Sequence, residues 1–107
     1  MLFRRHLIKK ILRGEKTRTI RPTGKYKVGK IYAVQEKPGA KKVAEILITG
    51  KRAKKLGMLT PDDIEPDGYS SLESFKREWL SMYGRWDPEQ QVWLYDFKVV
   101  RSWATAT

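Results

Sequence analysis

The sequence contains no cysteine and a single histidine, His6, and each shortage excludes a kind of chemistry. Without cysteine there can be no disulfide framework, no thiolate metal site and no thiol nucleophile. With one histidine, any metal site would depend on carboxylates. His6 lies among arginines and lysines on the polar side of its segment, so we interpret it as a solvated residue. We expect neither a metal nor a cofactor.

Long apolar runs are also lacking. No run approaches the ~20 residues that span a bilayer. The first residues, LFRRHLIKKIL, interrupt their apolar positions with charge too often for a signal peptide. We therefore expect a cytoplasmic protein with no membrane partner, and no obligate protein partner is evident. A length of 107 residues and an apolar content of 40% favour one globular domain, residues 1–107.

Negative charge is scarce. Twelve acidic residues face 23 lysines and arginines, which gives a formal net charge of +11. Such a balance steers polyanions towards the surface, so nucleic acid is the first partner to consider and an acidic membrane surface the second.

The first half of the chain predicts one helix and three strands. Apolar residues from Phe3 to Leu12 recur at helical spacing, and Gly14 is placed to end that helix. The strands are predicted in TRTIR, KIYAVQ and KVAEILITGKR, separated by the turns PTGKYKVG and EKPGAK. Connections this short favour an antiparallel or mixed sheet over a parallel one.

The second half predicts a short helix, a long helix and a closing strand. LTPDDIE has a threonine cap and an early proline, and Pro66 prevents its continuation. Ser70 and Glu73 have capping-box spacing for the long helix, which Gly84 ends. The last strand, VWLYDFKVV, alternates, with Trp93, Tyr95, Phe97 and Val99 on one side. The residues thus predict an α+β domain with about four or five strands, two main helices and a short one.

Four segments carry a resemblance to a known family. ILRGEKTRTIR, KVGKIYAV, EPDGYSSLESFKREW and VWLYDFKVV, in that order, resemble the ASCH domain of the PUA-like superfamily. The family pattern of glycine, one residue, lysine, four residues and arginine is matched by Gly14, Lys16 and Arg21. The resemblance implies a small PUA-like β-barrel of about five or six mixed or antiparallel strands, with two main α-helices and a short helix.

The resemblance also implies a basic cleft that binds RNA or a modified nucleoside. The candidate binding residues are Lys16, Arg18, Arg21, Lys25, Tyr26 and Tyr69. Independently of the family, basic residues crowd the segment from Lys9 to Lys27, and phosphate contacts of this kind give an affinity that falls with salt. The two tyrosines are candidate platforms for an unpaired base, or equally half-buried residues of the sheet.

A catalytic function is the alternative that the resemblance implies. Some bacterial ASCH proteins remove the acetyl group from N4-acetylcytidine with a lysine and a threonine of KTxTxR and a glutamate. Lys16 and Thr19 match this motif, and the acidic position holds Asp67, with Glu65 as a poorer match. In this hypothesis Thr19 is the nucleophile, Lys16 the base and Asp67 the orienting acid.

Two physical requirements limit that hypothesis. A lysine with a pKa near ~10.4 must be lowered to roughly 7–8 to act as a base. Neighbouring arginines and burial lower the pKa, whereas Asp67 opposes this. In a regular strand Lys16 and Thr19 would also point to opposite faces, so they converge only if the chain after Gly14 is still turning.

Two further interpretations stay open at this point. In an arbitrary protein KTRTIR would be an edge strand with solvent-facing lysine. Cleavage of single-stranded RNA is a third function that the family implies, and it is the least supported because His6 has no evident acid–base partner.

Overall fold

The computed structural model describes residues 1–103. Its helices are α1 (Arg5–Leu12), α2 (Pro61–Ile64) and α3 (Leu72–Tyr83), and a short 3-10 turn covers Leu56–Met58. Its strands are β1 (Arg18–Arg21), β2 (Ile31–Val34), β3 (Ala44–Lys55) and β4 (Gln91–Ser102). All the predicted helices and strands are present.

The four strands form one antiparallel sheet in the order β1-β4-β3-β2. The long central strands β3 and β4 pair from Ala44 with Ser102 to Lys55 with Gln91, and two register shifts along β3 bend the pair. The α+β class is confirmed. The expected closed barrel of five or six strands is not, because within residues 1–103 the sheet has four strands and is open between β1 and β2.

The sheet is covered on both faces. On one face α1 packs over Tyr95 and Phe97 of β4, and on the other α2 and α3 pack over Val92 and Leu94. The predicted alternation of β4 is correct for Tyr95 and Phe97, whereas Val99 is exposed. The prediction of one apolar side did not include the core around Val92 and Leu94. This part of β4 is apolar towards both faces, because helices cover both.

Two helices end at the glycines that the sequence predicts, whereas the start of α3 differs from the prediction. Gly14 and Gly84 have φ of +77° and +78° after α1 and α3, the left-handed conformation that favours glycine. The capping box of α3 is formed by Ser71 and Ser74, so the prediction from Ser70 and Glu73 was wrong by one residue. Ser74 satisfies the amide of Ser71 as a glutamate would, because its hydroxyl reaches back to that N–H.

The segment between α1 and β1 is held on two sides. The amides of Lys16 and of the residue before it both donate to the Lys10 carbonyl, at 3.1 and 2.9 Å. The amides of the next two residues both donate to the Pro66 carbonyl, at 2.8 and 3.1 Å. Lys16 therefore lies in a turn before β1, next to the loop that connects α2 and α3. Within residues 1–103 no helix has the length and apolar character needed to cross a membrane.

Candidate functional site

A pocket of about 240 Å³ lies where the first residues of the chain, β1, the α2–α3 loop and α3 meet. Lys16, Thr19 and Asp67, the three residues of the predicted catalytic set, all line it. Of the predicted binding residues, Arg21 and Tyr69 line it in addition to Lys16. Its apolar wall includes Phe3, Phe75, Trp79 and Tyr83. The pocket thus combines buried charge with aromatic surface.

Lys16 and Asp67 form a buried ion pair in this pocket. Their exposed fractions are 2% and 4%. Lys16 Nζ donates to Asp67 Oδ1, to the Asp67 backbone carbonyl at 2.9 Å and to the Arg18 carbonyl at 2.8 Å. An ammonium group has three donors, so these acceptors satisfy all of them.

Burial disfavours the charged form of both members of the pair. Removal from water lowers the pKa of Lys16, opposed by the charge and hydrogen bond of Asp67 and assisted by the charges of Arg21 and Lys10. Removal from water also raises the pKa of Asp67, opposed by Lys16, Arg21 and Arg18. The environment therefore favours the uncharged forms relative to water.

Thr19 and Arg21 share one side of β1 and contact each other. Arg21 Nε donates to Thr19 Oγ1 at 2.9 Å, and Arg21 Nη2 donates to the Leu2 carbonyl at 2.7 Å. The guanidinium carbon lies 4.7 Å from the centroid of the Phe3 ring. Arg21 is thereby fixed over Phe3 with its charge directed at the Thr19 oxygen.

The turn after Gly14 resolves the question of strand geometry. Because Lys16 lies before β1 and Thr19 within it, strict alternation does not apply, and both side chains reach the same pocket. Their proximity does not amount to a hydrogen bond, since the three donors of Lys16 go to Asp67 and Arg18.

Two tyrosines border the pocket. Tyr69 packs edge-on against Phe75 with the ring centroids 5.4 Å apart, and Tyr83 lies 4.4 Å from Trp79. Burial is the main cause that raises the pKa of both phenols. Their hydroxyls therefore stay protonated at neutral pH and can serve as hydrogen-bond donors.

The other predicted binding residues do not line this pocket. Arg18 donates to Asp96 at 2.7 Å and to the Asp63 carbonyl at 3.1 Å. Tyr26 packs edge-on against Tyr32 and Tyr95, with centroid distances of 5.0 and 5.4 Å. This contact matches the interpretation of Tyr26 as a half-buried residue of the core.

Lys25 accompanies Tyr26, with its Nζ 5.3 Å from the centroid of that ring. Glu65, the second candidate for the acid, lines a separate surface depression with Lys10 and Gly68. Asp67 is therefore the acid that reaches Lys16.

Sequence reasoning missed part of the pocket wall. Trp79 and Tyr83 of α3 belong to this wall, and no feature of the sequence shows that this face of the helix borders a pocket. Glu36, which pairs with Arg5 at 3.4 Å, also lines it. The indole Nε1 of Trp79 is buried and has no hydrogen-bond partner among residues 1–103, so it is a donor that a ligand could satisfy.

No cluster of three or more histidine or acidic side chains suited to a metal occurs in the described part of the chain. His6 is exposed, and its Nε2 lies 3.6 Å from Glu78. The chemistry of the pocket is therefore to be sought in Lys16, Asp67, Thr19 and Arg21.

Comparison with known proteins gives likeness at the level of structure. No protein-family model and no curated protein matches the chain. The ASCH domain structure from Lactobacillus crispatus JV V101 superposes with a TM-score of 0.77 at 19% identity, covering 90% of this chain and 71% of that one. A protein of Enterococcus faecalis V583 gives a TM-score of 0.70 at 19% identity, covering 92% and 72%.

A third structure is that of a point mutant of ZmASCH from Zymomonas mobilis, with a TM-score of 0.66 at 10% identity over 92% of this chain and 66% of that one. The chain therefore has the fold of ASCH domains.

Proposed function

We propose that this chain, which has the ASCH domain fold, is an amidohydrolase that removes the acyl group from an N-acylated pyrimidine nucleoside such as N4-acetylcytidine. The observation that carries this proposal is the joint burial of Lys16, Asp67 and Thr19 in one pocket. At about 240 Å³ the pocket is smaller than the ~300–1,000 Å³ typical of drug-sized ligands. It suits a planar base better than a polynucleotide.

The reaction assigns one task to each polar residue. Thr19 Oγ1 attacks the acyl carbonyl carbon, a C–O bond forms, and the amide C–N bond breaks. The hydroxyl proton passes to Lys16 Nζ and then to the departing exocyclic nitrogen. Water next attacks the acyl-threonine, which releases the carboxylic acid and restores the hydroxyl.

Burial and Arg21 favour this chemistry. A base must hold a free electron pair, and removal from water lowers the pKa of Lys16 in that direction. The Arg21 Nε–H that already contacts Thr19 Oγ1 stabilises negative charge on that oxygen as its proton leaves. Asp67 works against deprotonation of Lys16 but fixes the position of its amine.

One rearrangement is required. All three donors of Lys16 are engaged by Asp67 and Arg18, so Nζ must exchange one of these contacts for Thr19 when substrate enters. Catalytic hydrogen bonds commonly tighten only in the substrate complex.

Binding of a nucleoside or RNA without catalysis is the second candidate. The three oxygen acceptors around Lys16 Nζ favour it, because hydrogen bonds to the ammonium hold the charged, non-basic form. Lys16 would then stabilise the α2–α3 loop while Arg21 and the aromatic wall contact the ligand. A cytoplasmic location, where RNA-derived nucleosides occur, is part of both proposals.

The test is hydrolysis of N4-acetylcytidine by the purified protein, with cytidine detected by chromatography. Thr19→Val keeps the shape of the side chain and removes the hydroxyl, and Lys16→Ala removes the amine. Each is expected to lower the rate by at least ~10²-fold. Thr17→Val is the matched control, since Thr17 is exposed and does not line the pocket, and it should retain full activity.

The second candidate predicts a different result. In that case the wild type releases no cytidine but binds the nucleoside saturably in calorimetry, and Arg21→Ala weakens the binding. Neither turnover nor binding by a folded sample would overturn both candidates.

A further inference from the structure

We propose that the end of the β3–β4 ladder is a second binding surface, one for single-stranded nucleic acid, on which a base stacks against Trp103. The surface consists of Lys41, Lys42, Val43, Arg101 and Trp103. None of these residues lines the pocket around Lys16, so this inference does not rest on the proposed enzymatic function.

Trp103 is an exposed ring on a fixed backbone. Half of its surface, 51%, is exposed. Its amide donates to the Val43 carbonyl at 3.0 Å, directly after the pairing of Ala44 with Ser102. Because the ladder holds its backbone, no ordering of the backbone is needed when a base stacks on the ring.

Two cations accompany the ring. Lys42 Nζ lies 5.0 Å and Arg101 Cζ 5.7 Å from its centroid. Both also lie near Glu45, at 3.4 and 3.8 Å. With Lys41 the surface has three cations for this one carboxylate, a net charge of 3 − 1 = +2. The surface therefore keeps positive charge for phosphates.

This combination indicates single strands in particular. Proteins that bind single-stranded nucleic acid pair a cationic surface with aromatic rings on which successive bases stack. A duplex offers phosphates to the cations but keeps the faces of its bases stacked inside, out of reach of Trp103. An acidic peptide could likewise meet the cations, but it brings no base to the exposed ring.

The surface also lies close to the pocket along the sheet. The Val43 amide donates to the Val34 carbonyl at 3.0 Å. The following residues are Gln35, which bridges to Leu2, and Glu36, which lines the pocket. Residues 37–42 connect the two places and include three lysines. A strand of several nucleotides stacked on Trp103 can thus extend towards the pocket.

Fluorescence anisotropy with a labelled single-stranded RNA of ~10 nucleotides, within the usual site size, tests the inference. Trp103→Ala is expected to weaken binding roughly 5- to 150-fold, the range that loss of one stacked base gives. Trp103→Phe, which keeps an aromatic ring, should retain most of the affinity. Lys42→Gln should weaken binding and reduce the slope of affinity against salt by about one ion.

Val99→Ala is the control. Val99 is an exposed residue of β4, the strand that contains Arg101, and it does not belong to the surface. The Val99→Ala variant should therefore bind RNA as the wild type does. Unchanged affinity in a folded Trp103→Ala variant, or equal loss of affinity for a blunt duplex of the same sequence, would overturn the inference.

Discussion

Lys16 reaches Asp67, 51 residues later in the chain, and donates to both its carboxylate and its backbone carbonyl, the latter at 2.9 Å. The pair connects the segment before β1 to the loop between α2 and α3. Since both groups are buried, each depends on the other to compensate its charge. This dependence has consequences for stability and for catalysis.

Stability should show strong coupling between the two residues. Removing one member of a buried ion pair leaves the other uncompensated and costs about 3–5 kcal/mol. Lys16→Met and Asp67→Asn should each lower the free energy of unfolding by this amount, and the double variant by clearly less than their sum. Guanidinium denaturation of the four proteins measures it. Additive losses would show that the pair does not act as a unit.

The pH dependence of hydrolysis should report the lowered pKa of Lys16. The base is active when deprotonated, so kcat/KM should rise with pH and level off below the ordinary lysine value of 10.5. The positive charge of Lys10 contributes to this lowering. Lys10→Gln should therefore move the rising limb to higher pH.

Lys9→Gln is the control for that shift, because the charge of Lys9 is not among the causes that lower the pKa of Lys16. A limb that does not move in Lys10→Gln, or a rate that still climbs above pH 10.5 in the wild type, would remove Lys16 from the role of base.

Gly68 should matter for the position of Asp67. Its φ is +101°, and an added Cβ would lie 3.3 Å from Lys10 Cδ. Its carbonyl accepts from Lys10 Nζ at 2.6 Å. Gly68→Ala is thus expected to destabilise the fold by about 1–2 kcal/mol and to lower activity further by displacing the neighbouring Asp67.

Gly29→Ala separates these two effects. Gly29 has a similar φ of +86° but open space around its Cβ position, and it does not line the pocket. It should lose similar stability with unchanged kcat/KM. Equal activity in the two variants would contradict a role for Gly68 in the site.

The sequence predicts the elements well where a local signal determines them. Gly14 and Gly84 end helices because the left-handed conformation costs glycine little. The shared face of Thr19 and Arg21 follows from the two-residue period of a strand and is confirmed by their hydrogen bond. The same period places Arg18 on the opposite side, where it pairs with Asp96.

Features that depend on distant contacts are not predictable in this way. Ser70 and Ser71 both have a polar residue three positions later, so the spacing alone does not decide which of them caps α3. Whether Asp67 reaches Lys16 depends on the path of the α2–α3 loop, which the resemblance suggested and no local pattern specifies. Strand number depends on pairing across the chain, so the expected barrel was the weakest part of the prediction.

Asp63 should make the free energy of unfolding depend on pH in the acidic range. Its carboxylate accepts from the Thr60 amide at 2.8 Å, from Arg52 Nη2 at 2.9 Å and from Lys54 Nζ. Burial acts to raise its pKa, but the hydrogen bonds from Lys54, Thr60 and Arg52 together hold it far below the ordinary carboxyl value. A carboxyl group whose pKa is lower in the folded state than in the unfolded state stabilises the fold at any pH above its unfolded pKa of ~3.9. This stabilisation is lost as the pH falls towards the pKa of the folded state.

Asp63→Asn is therefore expected to lower the free energy of unfolding by about 1–3 kcal/mol at neutral pH, as the cap and the charged hydrogen bonds are lost. The difference from the wild type should shrink below about pH 4, because the wild-type carboxylate then loses its advantage.

Asp62→Asn is the matched control, since Asp62 is an exposed first-turn residue of the same helix, and it should change the free energy of unfolding by no more than ~0.5 kcal/mol. Urea denaturation of the three proteins across this pH range measures both effects. A difference for Asp63→Asn that stays constant down to ~pH 3 would contradict the depressed pKa, because the advantage of a low-pKa carboxylate must decline in that range.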